Sequence, residues 1–370
     1  MVIVMKRRKK IRKRVVKYIF IILLTSICIY IGINFYKSKN NNNVPSKVET
    51  IMKEKNISKG MYSKTLEYVL LNNIYDEKYI EEYKDIEYNN QSNFEEVLTT
   101  FLPKGYSAEE INYIFNLSNK NIETLKSIEY TDITNYYSIK NFDASKIDRY
   151  NAYKSKENIS YEDAVTRVNI KLDLPVYTDT TEVKNADNLL VLVNKYNHLP
   201  DNYKPSDLVY VDGAYGNKVP MRSVIKEAFL NLQEAAKDEI NINLMPTTAF
   251  RGESFQATLY NNYVAKEGVA KADTYSARPS YSEHQTGLAI DLRNTALSSN
   301  IRLTDDNYKW LSENSYKYGF IIRFPESKEN ITLYQFENWH IRYVGKDIAK
   351  IIYENNLTLE EYIDLYETEY

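Results

Sequence analysis

Two short stretches near the C-terminus, SEHQTGLAID (Ser282–Asp291) and FENWH (Phe336–His340), contain two of the three histidines in the 370-residue chain. Neutral imidazoles and a carboxylate are ligands that zinc takes in catalytic sites, where three protein ligands leave a fourth position to water. Glu337 lies three residues before the last histidine, where its carboxylate can serve as a base beside a metal. The stretches predict a hydrolase with one zinc ion, whose ligands would be His284, Asp291 and His340.

The local pattern of both stretches indicates how these side chains could meet. Alternation along TGLAIDL predicts a strand at a buried edge of a sheet. On this strand one face would carry Leu288, Ile290 and Leu292, and the other face Ala289, Asp291 and Arg293. Gly287 permits a turn that brings His284 back toward this strand. Glu337 and His340 would face opposite sides of a regular strand, because three residues is an odd step. We therefore expect a turn or bulge at residues 338–339, where the strand HIRYV begins.

The N-terminal region has the composition of a membrane anchor. Nine Lys or Arg and no acidic residue occur in residues 1–17, and an apolar run of nineteen residues follows over 18–36. Such a helix spans about 29 Å, close to the hydrocarbon thickness of about 30 Å. The alternatives are a cleaved signal peptide and a nucleic-acid-binding arm. A cleaved signal peptide would have a shorter apolar core and a small-residue cleavage site. We expect residues 1–37 to form a cytoplasmic basic segment and a single membrane helix, with the catalytic domain extracellular.

Charge and cysteine content restrict the chemistry of the remaining chain. Without the ten basic residues of 1–37, 38 Lys or Arg stand against 50 acidic residues, a net charge of −12. This balance argues against nucleic acid as a partner. The single cysteine, Cys28, lies in the apolar run, so the rest of the sequence offers no disulfide and no thiolate ligand. Any metal there must be held by His and carboxylate side chains.

The sequence before the catalytic half predicts a linker over residues 38–47 and a helical module over residues 48–184. Glycine is scarce in the module, and a weak repeat begins at Lys59 and again at Lys104. Each unit has a Ser N-cap candidate and two short amphipathic segments. A module that packs by its Ile, Leu and Tyr faces is favoured over a partner-binding or wall-binding one, because no specific binding residue stands out. The N-cap candidates are Ser63, Ser107 and, in SYEDAVTRVN, Ser160.

Residues 185–370 alternate helical segments with short strands, which indicates an α+β domain. The expected strands include LMPTTAF, FIIRF and HIRYV, and helices are expected from Glu253 and in DNYKWLSENSYKYG. The remaining histidine, His198, has no second ligand candidate nearby and is expected to be structural. A further helix is predicted from Arg222 to Ile240 by apolar residues on one face: Ile225, Phe229, Leu232 and Ala236.

SEHQTGLAID together with ENWHIRYVG resembles the VanY-type D-alanyl-D-alanine carboxypeptidase family, zinc peptidases that trim the stem peptides of peptidoglycan. The likeness extends from Leu189 through AFRGESFQ, SARPSYSEHQTGLAID and KYGFIIRFP to LTLEEY, and so covers the C-terminal half. It implies an α+β zinc peptidase domain with a small antiparallel sheet and flanking helices. It further implies the three zinc ligands named above and Glu337 as general base. The sequence departs from the family pattern at four positions: Gly252, Ser280, Leu333 and Asn338.

The resemblance also implies a substrate groove and a reaction. Arg251 and Gln256 match groove residues of the family, and Ser282 matches its serine beside the first ligand. Arg251 could stabilise the oxyanion or bind a terminal carboxylate, with Gln256 and Ser282 as neutral donors. Arg278 is a second candidate cation for the substrate, and the alternative for an arginine before proline is that it braces its own loop. The implied activity is that of a D,D-carboxypeptidase, which removes the terminal D-alanine from pentapeptide stems of peptidoglycan outside the membrane.

Two alternatives to this activity remain open at the level of sequence. An L,D-carboxypeptidase acting on tetrapeptide stems would use the same metal ligands and the same base. An inactive metal-containing protein that binds or senses the cell wall would need no base beside the metal, so Glu337 argues against it. The sequence does not indicate an oligomeric state.

Overall fold

The computed structural model describes residues 44–130, 133–298 and 301–367. The described residues divide into two compact units, an N-terminal unit that ends at residue 137 and a C-terminal unit that begins at residue 138. Among the described residues, no helix has the length and apolar character needed to cross a membrane. The anchor expected over residues 1–37 lies outside the described residues. Of the linker expected over 38–47, the last two residues already belong to the first helix.

The described part of the N-terminal unit is helical. Ser63 accepts a hydrogen bond from the backbone N–H of Leu66, and Ser107 forms a capping box with Glu110. These caps confirm the helix starts that the repeat predicts. The helices are α1 (Ser46–Glu54), α2 (Lys64–Leu71), α3 (Ile80–Asp85), α4 (Phe94–Phe101), α5 (Ala108–Ile114) and α6 (Asn119–Lys126).

Two further helices, α7 (Ile147–Glu157) and α8 (Tyr161–Asn169), belong to the C-terminal unit. Ser160 caps α8 by accepting a hydrogen bond from the N–H of Asp163, as predicted. Because α8 packs against the last helix of the described chain, these helices group with the second unit. The unit boundary therefore falls after residue 137, whereas the helical module was expected to reach residue 184. A peptidase domain that begins at residue 185 stays a prediction.

A four-stranded antiparallel sheet in the C-terminal unit consists of β5 (Leu244–Thr248), β6 (Ala289–Asn294), β7 (Phe320–Ile322) and β8 (His340–Tyr343), in the spatial order β5-β6-β8-β7. The prediction that TGLAIDL forms an edge strand was wrong, because β6 is paired on both sides. The strand HIRYV pairs with the side of β6 that was expected to be the edge of the sheet. Because HIRYV is distant in sequence, local alternation does not reveal this pairing. The smaller pairings are parallel β1 (Thr181–Glu182) with β2 (Asn197–His198) and antiparallel β3 (Leu208–Asp212) with β4 (Lys218–Arg222).

Helices flank the sheet and bury its apolar face. The predicted face of α9 (Ser223–Ile240) is buried and packs in one core with Leu288, Ile290 and Leu292. Each fully buried side chain of this size contributes about 1.5–3 kcal/mol, so the core fixes which side of β6 faces inward. The other helices are α10 (Glu253–Glu267), α11 (Val269–Ala272), α12 (Asp305–Asn314), α13 (Glu329–Thr332), α14 (Lys346–Glu354) and α15 (Leu359–Tyr366).

Candidate metal centre and active site

Two neighbouring strands place two of the predicted ligands side by side. Asp291 of β6 is directly opposite His340 of β8 in the antiparallel register. Because Ile290 and Leu292 point into the core, Asp291 projects from the other face of the sheet. The Nδ1 atom of His340 lies 3.3 Å from Oδ1 of Asp291.

The third candidate ligand, His284, comes from a 3₁₀ turn at Glu283–Thr286. Gly287 ends the turn with a φ of +68°, a conformation that favours glycine, as predicted. The Nδ1 atom of His284 lies 2.7 Å from the carbonyl oxygen of Ala249, which can only accept, so Nδ1 carries the proton. The lone pair of Nε2 then faces Asp291, whose Oδ1 is 3.3 Å away.

His340 has the opposite ring orientation. Its Nε2 atom lies 2.8 Å from Oε1 of Glu283. Burial opposes ionisation of Glu283, but Arg323 and Arg342 outweigh it and hold the pKa of this carboxyl well below its usual range. Because a carboxylate can only accept, Nε2 of His340 donates, and Nδ1 is the nitrogen that faces Asp291.

The two imidazoles differ in their affinity for protons. Burial, followed by the charge of Arg251, lowers the pKa of His284 to about 4. Burial also opposes the charged form of His340, but its contacts with Glu283 and Glu337 outweigh burial and raise its pKa to about 9. The carboxylates thus make Nδ1 of His340 a strong electron-pair donor, for which a proton and a metal cation compete.

The three side chains fit a metal ion. One ligand atom from each lies within 4.8 Å of the other two, and all three residues are buried. Oδ1 of Asp291 is buried and has no hydrogen-bond partner, although an imidazole nitrogen approaches it from either side. An unsatisfied buried carboxylate oxygen is costly, and a cation bound between the three side chains would satisfy it. In the part of the chain that the structure describes, no other group of His, Cys, Asp and Glu has this arrangement.

Glu337 lies next to the ligand set. Residues 338–339 form a turn and β8 begins at His340, which confirms the predicted irregularity. This turn brings Oε2 of Glu337 to 3.2 Å from Nδ1 of His340. Burial raises the pKa of the Glu337 carboxyl, and a raised pKa suits a group that accepts a proton and returns it.

Arg251 reaches the site, and Gln256 lies behind it. Nε of Arg251 donates to Oε1 of Gln256 at 3.1 Å, and Nη1 lies 3.4 Å from Oδ2 of Asp291. Gln256 is 1% exposed and donates its amide to the carbonyl of Ala277, so its side chain does not line the cavity. Gln256 is therefore placed to orient Arg251, whereas a direct substrate contact was expected.

The other two predicted substrate residues differ in position. Ser282 lines the cavity beside the ligand set. Arg278 does not, because its guanidinium pairs with Asp273 at 2.8 Å and stacks on the ring of Tyr177. Arg278 braces its own loop, and the structure does not bring it to the site. His198 also lies outside the ligand set, as expected of a structural histidine.

The ligand set lies in a cavity of about 530 Å³. One of the cations that line this cavity, Arg302, was not predicted from the sequence. The guanidinium of Arg302 lies 4.8 Å from the ring centroid of Trp339 and donates to Oγ1 of Thr247. Its Nη1 is 4.0 Å from Oδ2 of Asp291. No motif marks Arg302 in the sequence, since it follows β6 after a loop. The cavity is otherwise rich in aromatic side chains, among them Tyr215, Phe255, Tyr263, Tyr275, Phe336 and Trp339.

Glu283 is a second residue that sequence reasoning did not assign. It contacts His340 on one carboxylate oxygen and two arginines on the other. Its position next to His284 was the available signal, because metal-binding histidines commonly donate their second N–H to a carboxylate.

The arrangement identifies a class of protein. A structural zinc site is closed by four protein ligands, whereas a site with three protein ligands keeps a position for water or substrate. Here three ligands, an adjacent carboxylate and a cation-lined cavity occur together. These are the features of a metal-dependent hydrolase.

Comparison with known proteins gives the family. A family model described as VanY, D-alanyl-D-alanine carboxypeptidase, matches residues 218–346. VanXYC of Enterococcus gallinarum, a bifunctional D-Ala-D-Ala dipeptidase and D-Ala-D-Ala carboxypeptidase, is 32% identical over 183 residues, which are 48% of this chain and 94% of that protein. YodJ of Bacillus subtilis is 44% identical over 191 residues, 49% of this chain and 69% of that protein. The solved LD-carboxypeptidase LdcB is 40% identical, with a TM-score of 0.47, and the match covers 51% of this chain and 91% of that one.

The chain belongs to the VanY family of D-alanyl-D-alanine carboxypeptidases, and it is a peptidoglycan carboxypeptidase. The resemblance stated from the sequence is thereby confirmed. The matched region contains the three candidate ligands and Glu337.

Proposed function

We propose that this chain is a zinc-dependent D,D-carboxypeptidase that removes the terminal D-alanine from pentapeptide stems of peptidoglycan. The observation that carries the proposal is the unsatisfied Oδ1 of Asp291 between two imidazole nitrogens, with Glu337 beside them. Two imidazoles and a carboxylate are the donor set expected for one catalytic zinc ion. When bound, zinc supplies a Lewis acid and makes a water acidic enough to attack near neutral pH.

The residues of the chain would handle the proton and the developing charge. Glu337 accepts the proton of the attacking water and returns it to the amine of the leaving D-alanine, so that the peptide C–N bond breaks as a C–O bond forms. Arg251, fixed by Gln256, stabilises the negative charge that develops on the carbonyl oxygen. His284 and His340 are held for ligation by Ala249 and Glu283.

The terminal carboxylate of the substrate requires a donor that is accessible from the solvent-exposed side of the cavity. Arg302 is the part-exposed cation of the cavity, and Ser282 offers a neutral hydroxyl. Arg251 is more deeply buried than Arg302, which favours Arg251 for the oxyanion and Arg302 for the carboxylate.

The proposed location is the outer face of the cell membrane. It is supported by the basic residues 1–17 and the apolar run 18–36, and it would hold the catalytic unit close to its polymeric substrate. A single-pass anchor with a cytoplasmic N-terminus follows from the same charge distribution.

A peptide assay tests the proposal and its alternative. The purified, zinc-loaded full chain is incubated with pentapeptide and tetrapeptide stems, and the products are identified by mass spectrometry. Release of D-alanine from the pentapeptide is expected. Release from the tetrapeptide alone would replace the proposal by the L,D-carboxypeptidase, and release from neither would reject both.

A further inference from the structure

A buried network of charged side chains extends from the ligand His340 to the last helix of the described chain. Oε2 of Glu283 accepts from Nε of Arg323 at 2.8 Å and from Nη1 of Arg342 at 3.1 Å. The other edge of the Arg323 guanidinium donates to both oxygens of Glu360 on α15, at 2.9 and 2.6 Å. His340 is thus three hydrogen-bonded steps from α15.

The network is enclosed and its charges balance. Arg342 is 0% exposed, Arg323 is 1% and Glu360 is 2% exposed, so no part of the network is screened by water. Two arginines face two carboxylates. Breaking one member of such a buried set is strongly destabilising, whereas replacing a whole pair by apolar side chains is often neutral. Replacing Arg323 and Glu360 together is therefore expected to cost much less stability than removing either one alone.

We propose that Glu360 is a positioning residue for the metal ligand His340, acting through Arg323 and Glu283. This inference rests on the zinc site proposed above. The two edges of the planar Arg323 guanidinium are occupied by different carboxylates, so Glu360 fixes the plane in which Arg323 meets Glu283. Glu283 in turn fixes the ring of His340, because its Oε1 receives the Nε2 proton.

Arg342 limits how much of the effect depends on Glu360. It also holds Glu283 and is itself anchored by the carbonyl oxygens of Leu189 and Val191. Loss of Glu360 should therefore loosen the carboxylate of Glu283 without releasing it. The expected effect on metal binding is smaller than the effect of removing Glu283.

The experiment measures zinc affinity of the full chain by competition with a chelator. Glu283→Gln should weaken zinc binding about 10- to 100-fold, as loss of an outer-shell partner typically does. The double variant Arg323→Met/Glu360→Leu keeps the charge balance and should weaken it by about 3- to 10-fold, since it removes one brace of two. The control Lys328→Met breaks the other ion pair of α15, with Glu361, which does not contact the network, and should leave zinc affinity unchanged.

Two further measurements separate positioning from a general structural role. The unfolding midpoint of the zinc-free double variant should stay near that of the parent, because an apolar pair replaces a buried ion pair. The Nε2–H proton of His340, followed by NMR, should exchange with solvent faster in the double variant than in the parent. A structural role alone would lower the midpoint and leave this proton unchanged.

The outcomes decide between the two proposals. A folded double variant with parental zinc affinity and parental exchange at His340 overturns the positioning role of Glu360. Glu360→Gln keeps Arg323 and one oxygen acceptor, and its zinc affinity, measured in the same way, separates the effect of Glu360 from that of Arg323. A zinc affinity of Glu360→Gln equal to the parental value would overturn the role of Glu360 even if the double variant binds zinc weakly or does not fold. A parent chain that binds no zinc rejects the zinc site itself, independently of Glu360.

Discussion

Two parts of the cavity, a ligand wall and a mouth, differ in how deeply their side chains are buried. The ligand wall, formed by Glu283, His284, Asp291 and His340, is buried, and both imidazoles are oriented by a hydrogen bond on the ring nitrogen away from Asp291. The mouth, formed by Tyr215, Phe255 and Arg302, is open to solvent: Tyr215 is 67% and Phe255 is 61% exposed. Many buried contacts therefore hold the candidate ligands in place, whereas the side chains of the mouth are exposed and have few contacts that hold them.

This difference indicates where substrate preference is set. D,D- and L,D-carboxypeptidases would need the same ligand wall, since the bond that breaks releases a terminal D-alanine in both. They differ in the configuration of the residue before it, so cavity side chains outside the ligand wall must distinguish the two substrates. Substitutions in the ligand wall should therefore change zinc affinity and kcat, whereas substitutions at the mouth should change KM.

The largest effect is expected for Asp291→Ala on the ligand wall. This change removes the carboxylate between the two imidazoles and should weaken zinc binding by more than the ~100-fold that loss of an outer-shell partner can cost. The zinc content of the dialysed protein and the rate of D-alanine release should both fall to background. Asp238→Ala, on an exposed part of α9, is the matched control and should retain metal and activity. Full zinc content in Asp291→Ala would remove Asp291 from the ligand set.

Glu337→Gln should separate the base from the metal. The amide cannot accept a proton from water, so kcat should fall by about 10²- to 10⁴-fold. Zinc content should stay at the parental value because Glu337 is not one of the three ligands. Unchanged turnover in this variant would show that another group is the base.

The ligand wall was largely predictable from sequence, and the reason is local. Strand alternation gave the side on which Asp291 projects, and the odd step between Glu337 and His340 required the turn that the structure shows. The α9 face followed from helical periodicity. These features depend on residues within a few positions of each other, where backbone geometry leaves few choices.

What the sequence could not give depends on contacts between distant segments. The pairing of β6 with β8 makes β6 an inner strand, and no local pattern reports a partner about fifty residues away. Arg302 enters the site only because the loop after β6 returns to Thr247 and Trp339. Arg278 was a second candidate cation for the substrate, but Asp273, five residues earlier, binds it.

Arg251 lines the cavity next to Asp291 of the ligand wall, and its variants should show an intermediate effect. Arg251→Gln should lower kcat by about 10²- to 10³-fold, the usual cost of removing an oxyanion donor. Gln256→Ala should lower kcat by less, about tenfold, because it only frees the Arg251 side chain that it orients. Steady-state kinetics on the same peptide check this order. A larger loss in Gln256→Ala than in Arg251→Gln would contradict an orienting role.

At the mouth, Arg302→Gln should raise KM by about tenfold and leave kcat within about twofold. A charge-assisted bond to the terminal carboxylate contributes about 1.5–3 kcal/mol, and the part-exposed Arg302 should lie at the lower end of this range. Kinetics with a peptide acid and the corresponding peptide amide make the test specific. The parent should discriminate between them, and Arg302→Gln should not. Lys309→Gln, on the exposed side of α12, is the control. Retained discrimination in Arg302→Gln would assign the carboxylate to another donor.

The smallest effect should come from Ser280, one of the positions at which the sequence departs from its family. Ser280 has a φ of +67°, which a residue with a Cβ adopts at a cost. Ser280→Gly should therefore stabilise the protein by about 0.5–1 kcal/mol, net of the larger entropy of the unfolded chain, and leave kcat and the zinc affinity unchanged. Chemical unfolding of the zinc-loaded protein measures the gain. Ser312→Gly, within α12, should have the opposite sign, because glycine destabilises a helix interior by about 0.5–1 kcal/mol. A loss of kcat in Ser280→Gly would instead mean that the serine side chain, and not only its backbone, shapes the segment that carries Tyr281 and Ser282 to the cavity.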